Sequence, residues 1–312
     1  MSKEADWFRD AKWGVFVHYL GGKDPEEWNT RMEAFDLKTL VQQLKDIDPG
    51  YFFITLGQNS GFCCAPNAAY ERYGGYGANE RCSRRDIPME IGQELRKHGM
   101  RLMLYMSGCA PQSDEQEAKG LGCVEHAYGS PGWWDWGMTP LFNQRWSEVL
   151  QTWAEQYGKL VSGWWIDGCY PHVGACNDYM NAYKAALRKG NPHTICAFNS
   201  GVRVPVTRAF DADDYTAGEL DSHFPVGMTD YGKDMKFSRL SQVDGAQYHI
   251  VTFLGERWGS HVPRFSDELV HAYTRWITDS GGVLTWDVGI HPDGHLSADC
   301  VRQLRCLKDI RR

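Results

Sequence analysis

The chain has 312 residues, and its 33 lysines and arginines are outnumbered by 40 aspartates and glutamates, for a net charge of −7 at pH 7. No basic cluster interrupts this balance, so neither nucleic acid nor an anionic membrane is an expected partner. No apolar run approaches the roughly 20 residues of a membrane-spanning helix. The first residues are polar and acidic, without the apolar core of a signal peptide, which predicts a cytoplasmic protein.

Ten cysteines are scattered along the chain, and none forms the CxxC pair typical of zinc ribbons. Several lie inside apolar segments, which predicts reduced, buried thiols. A metal site built from Cys63, Cys64 and Cys82 is a minor alternative. No metal or organic cofactor is otherwise expected, and the composition leaves the oligomeric state open.

Eight short apolar runs, bounded by glycine or polar residues, predict eight strands that alternate with helices. The predicted strands are 13–19, 51–56, 101–107, 163–167, 194–198, 209–215, 248–254 and 281–287. The predicted helices are 36–44, 86–98, 139–157, 177–189, 233–243, 266–277 and 297–309. This alternation favours an α/β fold, a single (β/α)8 TIM-like barrel over residues 1–312 without a C-terminal β-sandwich. A doubly wound sheet is the alternative, but no glycine-rich phosphate-binding motif follows the first strand.

The stretch 163–168, Gly-Trp-Trp-Ile-Asp-Gly, reads as a buried parallel strand that ends in a functional carboxylate, Asp167. Active sites of such barrels lie at the carboxyl ends of the strands. Other polar residues stand at predicted strand ends, and together they predict one carboxylate-rich pocket ringed by tryptophan. They are His18, Gln58, Asn59, Tyr105, Asn199, Asp213, Asp214 and Asp287. The loop 108–137, with three tryptophans, is long enough to be functional.

Hydrolysis of a glycoside needs two carboxyl groups, a general acid and a nucleophile or base, on either side of the bond. Asp167 is the candidate nucleophile. Glu219, on the loop after the predicted sixth strand, is the first candidate for its partner. Glu256, after the seventh strand, is the second, and Asp287, which ends the eighth, is the third.

Over nearly its whole length and in order, the chain resembles the catalytic domain of α-L-fucosidases of glycoside hydrolase family 29. Residues 12–19 are similar to the family's KFGIFIHWG, 165–168 to its WFDG, 214–219 to DFxTPE, and 280–294 to SKGGNLLLNVGPTPDG. Shorter likenesses lie at 27–28, 86–107 and 258–259. The resemblance implies a barrel fold and retaining hydrolysis of an α-linked L-fucose or a related sugar, with Asp167 as nucleophile and Glu219 or Glu256 as acid and base.

The resemblance also implies a set of sugar-binding residues. These are His18, Glu27, Trp28, Gln58, Asn59, Tyr105, Trp165, Trp258 and Asp287. Two of them depart from the family, because Gln58 and Asn59 replace the histidine pair that binds fucose hydroxyls, and an amide presents a different set of donors and acceptors. The substrate sugar is therefore open.

Two other functions are compatible with these residues. One is a non-catalytic carbohydrate-binding barrel, which keeps the pocket but lacks a working acid. The other is a metal-dependent barrel enzyme that uses His18, Asp167 and Asp287.

Overall fold

The computed structural model describes residues 3–109, 111–125, 136–221, 224, 227–228, 236–237 and 239–311. Within these ranges the main elements are seven strands and ten α-helices. The strands are β1 Trp13–Val17, β2 Tyr51–Thr55, β3 Arg101–Ser107, β4 Val161–Asp167, β5 Ile195–Phe198, β6 His249–Phe253 and β7 Val283–Asp287. The helices are α1 Asp6–Ala11, α2 Pro25–Glu33, α3 Leu37–Ile47, α4 Ala68–Gly74, α5 Ile87–Lys97, α6 Glu115–Leu121, α7 Pro140–Tyr157, α8 Asn177–Leu187, α9 Asp267–Thr278 and α10 Ala298–Leu304.

Shorter elements complete the described chain. Three antiparallel pairs of two-residue strands join Val124–Glu125 to Trp136–Gly137, Gly227–Met228 to Lys236–Phe237, and Gln242–Val243 to Ala246–Gln247. Turns of 3₁₀ helix lie at Lys3–Ala5, Gly158–Leu160, Pro171–Val173 and Arg305–Leu307.

The seven strands form one parallel sheet in the order β6-β7-β1-β2-β3-β4-β5. Every neighbouring pair is parallel, so all the carboxyl ends lie along the same side of the sheet. Alternate side chains pack on the two faces, as the period of a strand requires. Phe16, Phe53, Tyr105 and Trp165 belong to one apolar cluster, whereas Trp164 and its neighbours pack in a second and larger cluster with the helices.

Several helices begin where the sequence predicts them, because an N-cap side chain satisfies a free backbone N–H group. Asp36 accepts a hydrogen bond from the N–H group of Thr39 before α3, and Asp86 accepts one from Met89 before α5. Ser266 caps α9 in the same way. These caps fix the ends of the helices that cover the sheet.

The predicted sixth strand, 209–215, is not a strand. Asp213 accepts hydrogen bonds from the N–H groups of Phe198, Ala209 and Phe210, which folds this segment into turns instead of a ladder. Burial raises the pKa of Asp213 to about 7, although these N–H groups oppose the rise.

Residues 213–220 nevertheless connect the two edges of the sheet. The N–H group of Asp214 donates to Cys196 in β5 over 2.8 Å, and Leu220 and Gly218 exchange hydrogen bonds with Val251 in β6. The arrangement is consistent with a TIM-like barrel in which the described residues supply seven regular strands, and this irregular segment takes the place of the predicted sixth strand.

Two other predicted elements differ from the structure. The predicted helix 233–243 is not formed where the chain is described, since 236–237 and 242–243 belong to strand pairs; 233–235 and 238 lie outside the described residues. The predicted long loop 108–137 contains α6 and a strand pair, and its Trp136 is buried. Trp133 and Trp134 lie outside the described residues.

All ten cysteines are free thiols, and eight of them are buried, as the sequence predicts. Among the described residues, no helix combines the length and the apolar character needed to span a membrane.

The buried carboxylate of Asp214 should make a large contribution to stability. It accepts hydrogen bonds from Lys184 in α8, from Arg188 directly after this helix and from the N–H group of Cys196. Asp214→Ala leaves two cations and an N–H group without this partner, so we expect the free energy of unfolding to fall by about 3 kcal/mol in urea titrations. The exposed pair of Arg275 and Asp279 provides the control, because Asp279→Ala should cost less than about 1 kcal/mol. Equal losses in the two variants would contradict this role.

Candidate active site

A pocket of about 290 Å³ opens at the carboxyl ends of the strands. Its lining combines an apolar, mostly aromatic surface with a few polar side chains, a composition typical of small-ligand sites. The lining residues are Phe16, His18, Leu20, Phe53, Gln58, Tyr105, Trp165, Asp167, Glu219, Val251 and Trp258.

Aromatic rings form much of the pocket surface. Tyr105 stacks on Trp165 with ring centroids 5.5 Å apart, and the indole N–H group of Trp165 donates to the carbonyl group of Ala217. Trp258 meets the ring of His18 edge-on at 5.5 Å. Ring faces of this kind suit the apolar face of a sugar, while the polar groups between them can meet hydroxyl groups.

Asp167 is the last residue of β4, and both of its carboxylate oxygens are hydrogen-bonded. Oδ2 accepts from the hydroxyl group of Tyr105 over 2.6 Å, and Oδ1 accepts from Nδ2 of Asn199 over 2.7 Å. Gln58 in turn donates from Nε2 to the hydroxyl oxygen of Tyr105 over 2.7 Å. This relay directs the phenolic proton at Asp167, because the Tyr105 oxygen already accepts a hydrogen bond from the other side.

Asn199 follows β5 directly and bridges the two carboxylates of the pocket. Its Nδ2 donates to Oδ1 of Asp167 and to Oε2 of Glu219, each over 2.7 Å, so those two oxygens are at most twice that distance, about 5.4 Å, apart. Its Oδ1 accepts from the N–H group of Gly201, which fixes the orientation of the amide. Asn199 is only 1% exposed, and its side chain therefore holds the carboxylate pair rigidly.

Glu219 carries the perturbed carboxyl group of the pair. Burial, reinforced by the negative charge of Asp167, raises its pKa to about 7, while the hydrogen bond from Asn199 and the proximity of His18 act in the opposite direction. Among the described residues, Oε1 has no hydrogen-bond partner, so it can carry a proton towards a ligand. A carboxyl group that is partly protonated near neutral pH suits a general acid.

His18 and Asp287 form a second polar pair at the pocket wall. Nδ1 of His18 lies 2.7 Å from Oδ2 of Asp287, whose other oxygen accepts from the N–H group of Gly259 over 2.6 Å. Asp287 is fully buried, and desolvation raises its pKa, although His18 opposes the rise. Asp287 does not line the pocket, and it holds His18 so that Nε2 is the ring nitrogen left for a ligand.

Four residues predicted for the site lie elsewhere in the fold. Glu256 is exposed on the loop after β6 and lines a separate surface groove with Arg257 and Arg264. Glu27 is exposed in the first turn of α2.

Trp28 and Asn59 are also not among the pocket-lining residues. Trp28 is buried and donates from its indole N–H group to the carbonyl group of Cys63, so it packs the base of the loop that carries Gln58. Asn59 lies on that same loop, with a buried side-chain oxygen that has no hydrogen-bond partner among the described residues.

Among the described residues, no group of three or more histidine, cysteine, aspartate or glutamate side chains is arranged to hold a metal ion. His18 and Asp287 pair with each other, whereas Asp167 is held by Tyr105 and Asn199. Cys63 and Cys82 are buried neighbours, and burial raises the pKa of both thiols.

Only part of the pocket can be predicted from the sequence. Asn199 stands at a predicted strand end, yet its bridging role needs the distances to both carboxylates. Phe16, Phe53 and Val251 line the pocket as inward residues of strands whose boundaries are well predicted. Choosing them in advance would require knowing which strand face points inward.

Comparison with known proteins finds similar structures but no matching protein-family model or curated sequence. Among solved structures, the endo-fucoidan hydrolase P5AFcnA of glycoside hydrolase family 107 is similar over 99% of this chain and 93% of its own, with a TM-score of 0.70 and 14% identity. The α-L-fucosidase AlfC from Lactobacillus casei, in complex with α-L-fucose, is similar over 99% and 98%, with a TM-score of 0.62 and 16% identity.

The endo-fucoidan hydrolase MfFcnA4 of family 107 has a TM-score of 0.71 and 17% identity, and this chain spans 53% of its length. These TM-scores show a shared fold, and at 14–17% identity they show the fold alone. The structural neighbours are fucose-processing glycoside hydrolases, among them endo-fucoidan hydrolases of family 107 and an α-L-fucosidase.

The raised pKa of Glu219 predicts how Glu219→Gln changes stability with pH. The ordinary pKa of Glu219 is 4.5, and its pKa in the folded protein is about 7. At a pH between these two values, Glu219 keeps its proton in the folded protein and has released it in the unfolded chain. Wild-type stability therefore falls as pH rises through this range, and the glutamine variant lacks this loss. The free energy of unfolding of Glu219→Gln relative to wild type should rise by on the order of 2 kcal/mol from pH 4.5 to pH 8 in urea titrations. A difference that is constant with pH would contradict the perturbed carboxyl group.

Proposed function

We propose that this protein is a retaining glycosidase that hydrolyses an α-linked L-fucose or a related sugar. Asp167 is the nucleophile and Glu219 is the general acid and base. The observation that carries the proposal is the bridge by Asn199, which ties two carboxyl groups in different environments to one amide nitrogen. Structural similarity to fucose-processing glycoside hydrolases supports the substrate class.

The spacing of the pair supports retention. Retaining glycosidases hold their two carboxyl groups about 5–5.5 Å apart, whereas inverting enzymes need roughly 6.5–9.5 Å to admit a water molecule. The Asn199-bonded oxygens of Asp167 and Glu219 are at most about 5.4 Å apart, which is shorter than the inverting range and compatible with retention.

The two half-reactions follow from this geometry. A carboxylate oxygen of Asp167 attacks the anomeric carbon as the glycosidic C–O bond breaks, and Glu219 transfers its proton to the departing oxygen. Glu219, now a carboxylate, then takes a proton from water, whose oxygen attacks the same carbon and displaces Asp167. The raised pKa of Glu219 suits both roles, because one residue must give and accept a proton in the same pH range.

The pocket walls provide the means to hold one sugar residue. His18 offers Nε2 to a hydroxyl group, and Trp165 and Trp258 offer ring faces. Gln58 donates one N–H to the hydroxyl group of Tyr105, so its amide oxygen and its second N–H are available to a sugar. An amide at this position presents a different set of donors and acceptors from a histidine pair, so it bears on the choice between L-fucose and a related sugar.

The acid assignment is tested with leaving groups of different acidity. A general acid typically raises the reaction rate roughly 10²- to 10⁴-fold. Glu219→Gln should therefore lower kcat/KM for a fucosyl disaccharide at least about 100-fold. On a dinitrophenyl α-L-fucoside, which needs no proton, the first step should fall less than about 10-fold, and azide should restore turnover.

Glu256→Gln is the matched control, because this glutamate is exposed outside the pocket. If Glu256→Gln shows the leaving-group pattern and Glu219→Gln does not, the roles must be exchanged. Sugar binding without turnover of any glycoside by the wild type would instead support a non-catalytic carbohydrate-binding barrel.

A further inference from the structure

The loop that follows Asp167 carries a pair of stacked rings that the hydrolytic mechanism above does not use. Gly168 adopts a φ of +70°, which turns the chain away from β4. Tyr170 and His172 then stack with ring centroids 5.2 Å apart and planes only 8° apart. His172 is exposed, whereas Tyr170 is half-buried, so the outer ring of the pair faces solvent.

The negative charges of both candidate catalytic carboxylates act on Tyr170. Burial is the main reason that its pKa is raised, and the negative charges of Asp167 and Glu219 add to the effect. Its backbone is fixed, because its carbonyl oxygen accepts hydrogen bonds from Val173 and Ala175. The ring pair therefore forms a surface on a loop whose backbone is held in place at Tyr170.

A second loop approaches this surface from β5. A Cβ atom added to Gly201 would come within 3.2 Å of Cε1 of Tyr170, so the chain after Asn199 lies directly against the ring. Residues 199–201 and Arg203 line a narrow cleft, and Glu219 forms part of both this cleft and the main pocket. Val202 and Val204 are exposed on the same loop.

The position of Glu219 determines which part of a substrate would reach this surface. A general acid protonates the oxygen of the leaving group, so the leaving group must pass on the acid's side of the pocket. Arg203 lines the cleft that Glu219 shares with the main pocket, and Tyr170, on which His172 stacks, packs against Gly201 of the same cleft.

We propose that Tyr170, His172 and Arg203 form the subsite for the leaving group, and that it takes a ring with an apolar face, either a pyranose or an aryl group. The ring packs on the exposed face of His172, and Arg203 donates hydrogen bonds to its substituents. This inference rests on the proposed function, because it needs Glu219 to act as the acid.

The test compares substrates with and without a ring to occupy the subsite. The probes are a fucosyl-pyranose disaccharide, p-nitrophenyl α-L-fucoside and α-L-fucosyl fluoride, whose leaving group is a single atom. His172→Ala should lower the ratio of kcat/KM for a ring-bearing substrate to that for the fluoride by about 3- to 10-fold, the range for loss of one ring contact. His172→Phe should restore most of the ratio. Whichever of the two ring-bearing substrates shows the larger fall in this ratio indicates whether the subsite prefers a pyranose or an aryl group.

His193→Ala is the control, since this exposed histidine precedes β5 at the opposite end of the strand and should not change the ratio. A ratio unchanged in His172→Ala, or lowered equally in His193→Ala, would overturn the subsite while leaving the proposed function intact. Absence of turnover of all three probes by the wild type would overturn both.

Discussion

The hydrogen bonds from a single amide nitrogen to two carboxylates organise this pocket. Nδ2 of Asn199 has two hydrogens, and it gives one to Asp167 and one to Glu219. Its side-chain oxygen is occupied by the N–H group of Gly201, and its backbone oxygen accepts from Cys169 in the loop after β4. The end of β5 is thereby tied to the end of β4, and Glu219 is tied to both.

The same arrangement makes the two carboxylates unequal. Asp167 receives hydrogen bonds on both oxygens, from Tyr105 and Asn199, whereas Glu219 receives only one among the described residues. Burial near a negative charge then raises the pKa of Glu219 to about 7. Two chemically similar groups can thus take different roles, one as an electron-pair donor and the other as a proton carrier.

Asp213 and Asp214 explain how an irregular segment can deliver Glu219 to this position. Their carboxylates use their hydrogen-bonding capacity on backbone N–H groups and on Lys184 of α8, which holds the segment against β5. From there the chain reaches β6, where Glu219 and Val251 form an isolated bridge. A regular strand would alternate its side chains between faces, whereas this path leaves Glu219 at the pocket mouth.

Much of the fold could be predicted from the sequence. Strands such as β3 and helices capped by Asp36 and Asp86 follow from apolar periodicity and local hydrogen bonding, so their signals are contained within a few residues. The apolar residues of segment 209–215 predict a strand, because they do not reveal that Asp213 accepts hydrogen bonds from N–H groups on both sides.

The pocket was harder to predict, because it depends on contacts between distant segments. Asp167 and Glu219 are 52 positions apart and meet only through Asn199. Glu256 is the same residue type at the end of a neighbouring strand, and the path of its loop alone leaves it on the surface. Similarly, Asp287 stands at a strand end, but its side chain contacts His18. The sequence pattern is the same for a side chain in such a contact and for one that faces a ligand.

The most direct test of the central claim is covalent trapping of the nucleophile. Wild-type protein incubated with a 2-deoxy-2-fluoro-L-fucosyl fluoride should gain the mass of one fluorosugar, and peptide mapping should locate it on Asp167, because the fluorine slows release of a glycosyl-enzyme intermediate formed by a retaining enzyme. Asp167→Asn should gain nothing. Turnover of the reagent without an adduct, or an adduct on a different residue, would contradict the account.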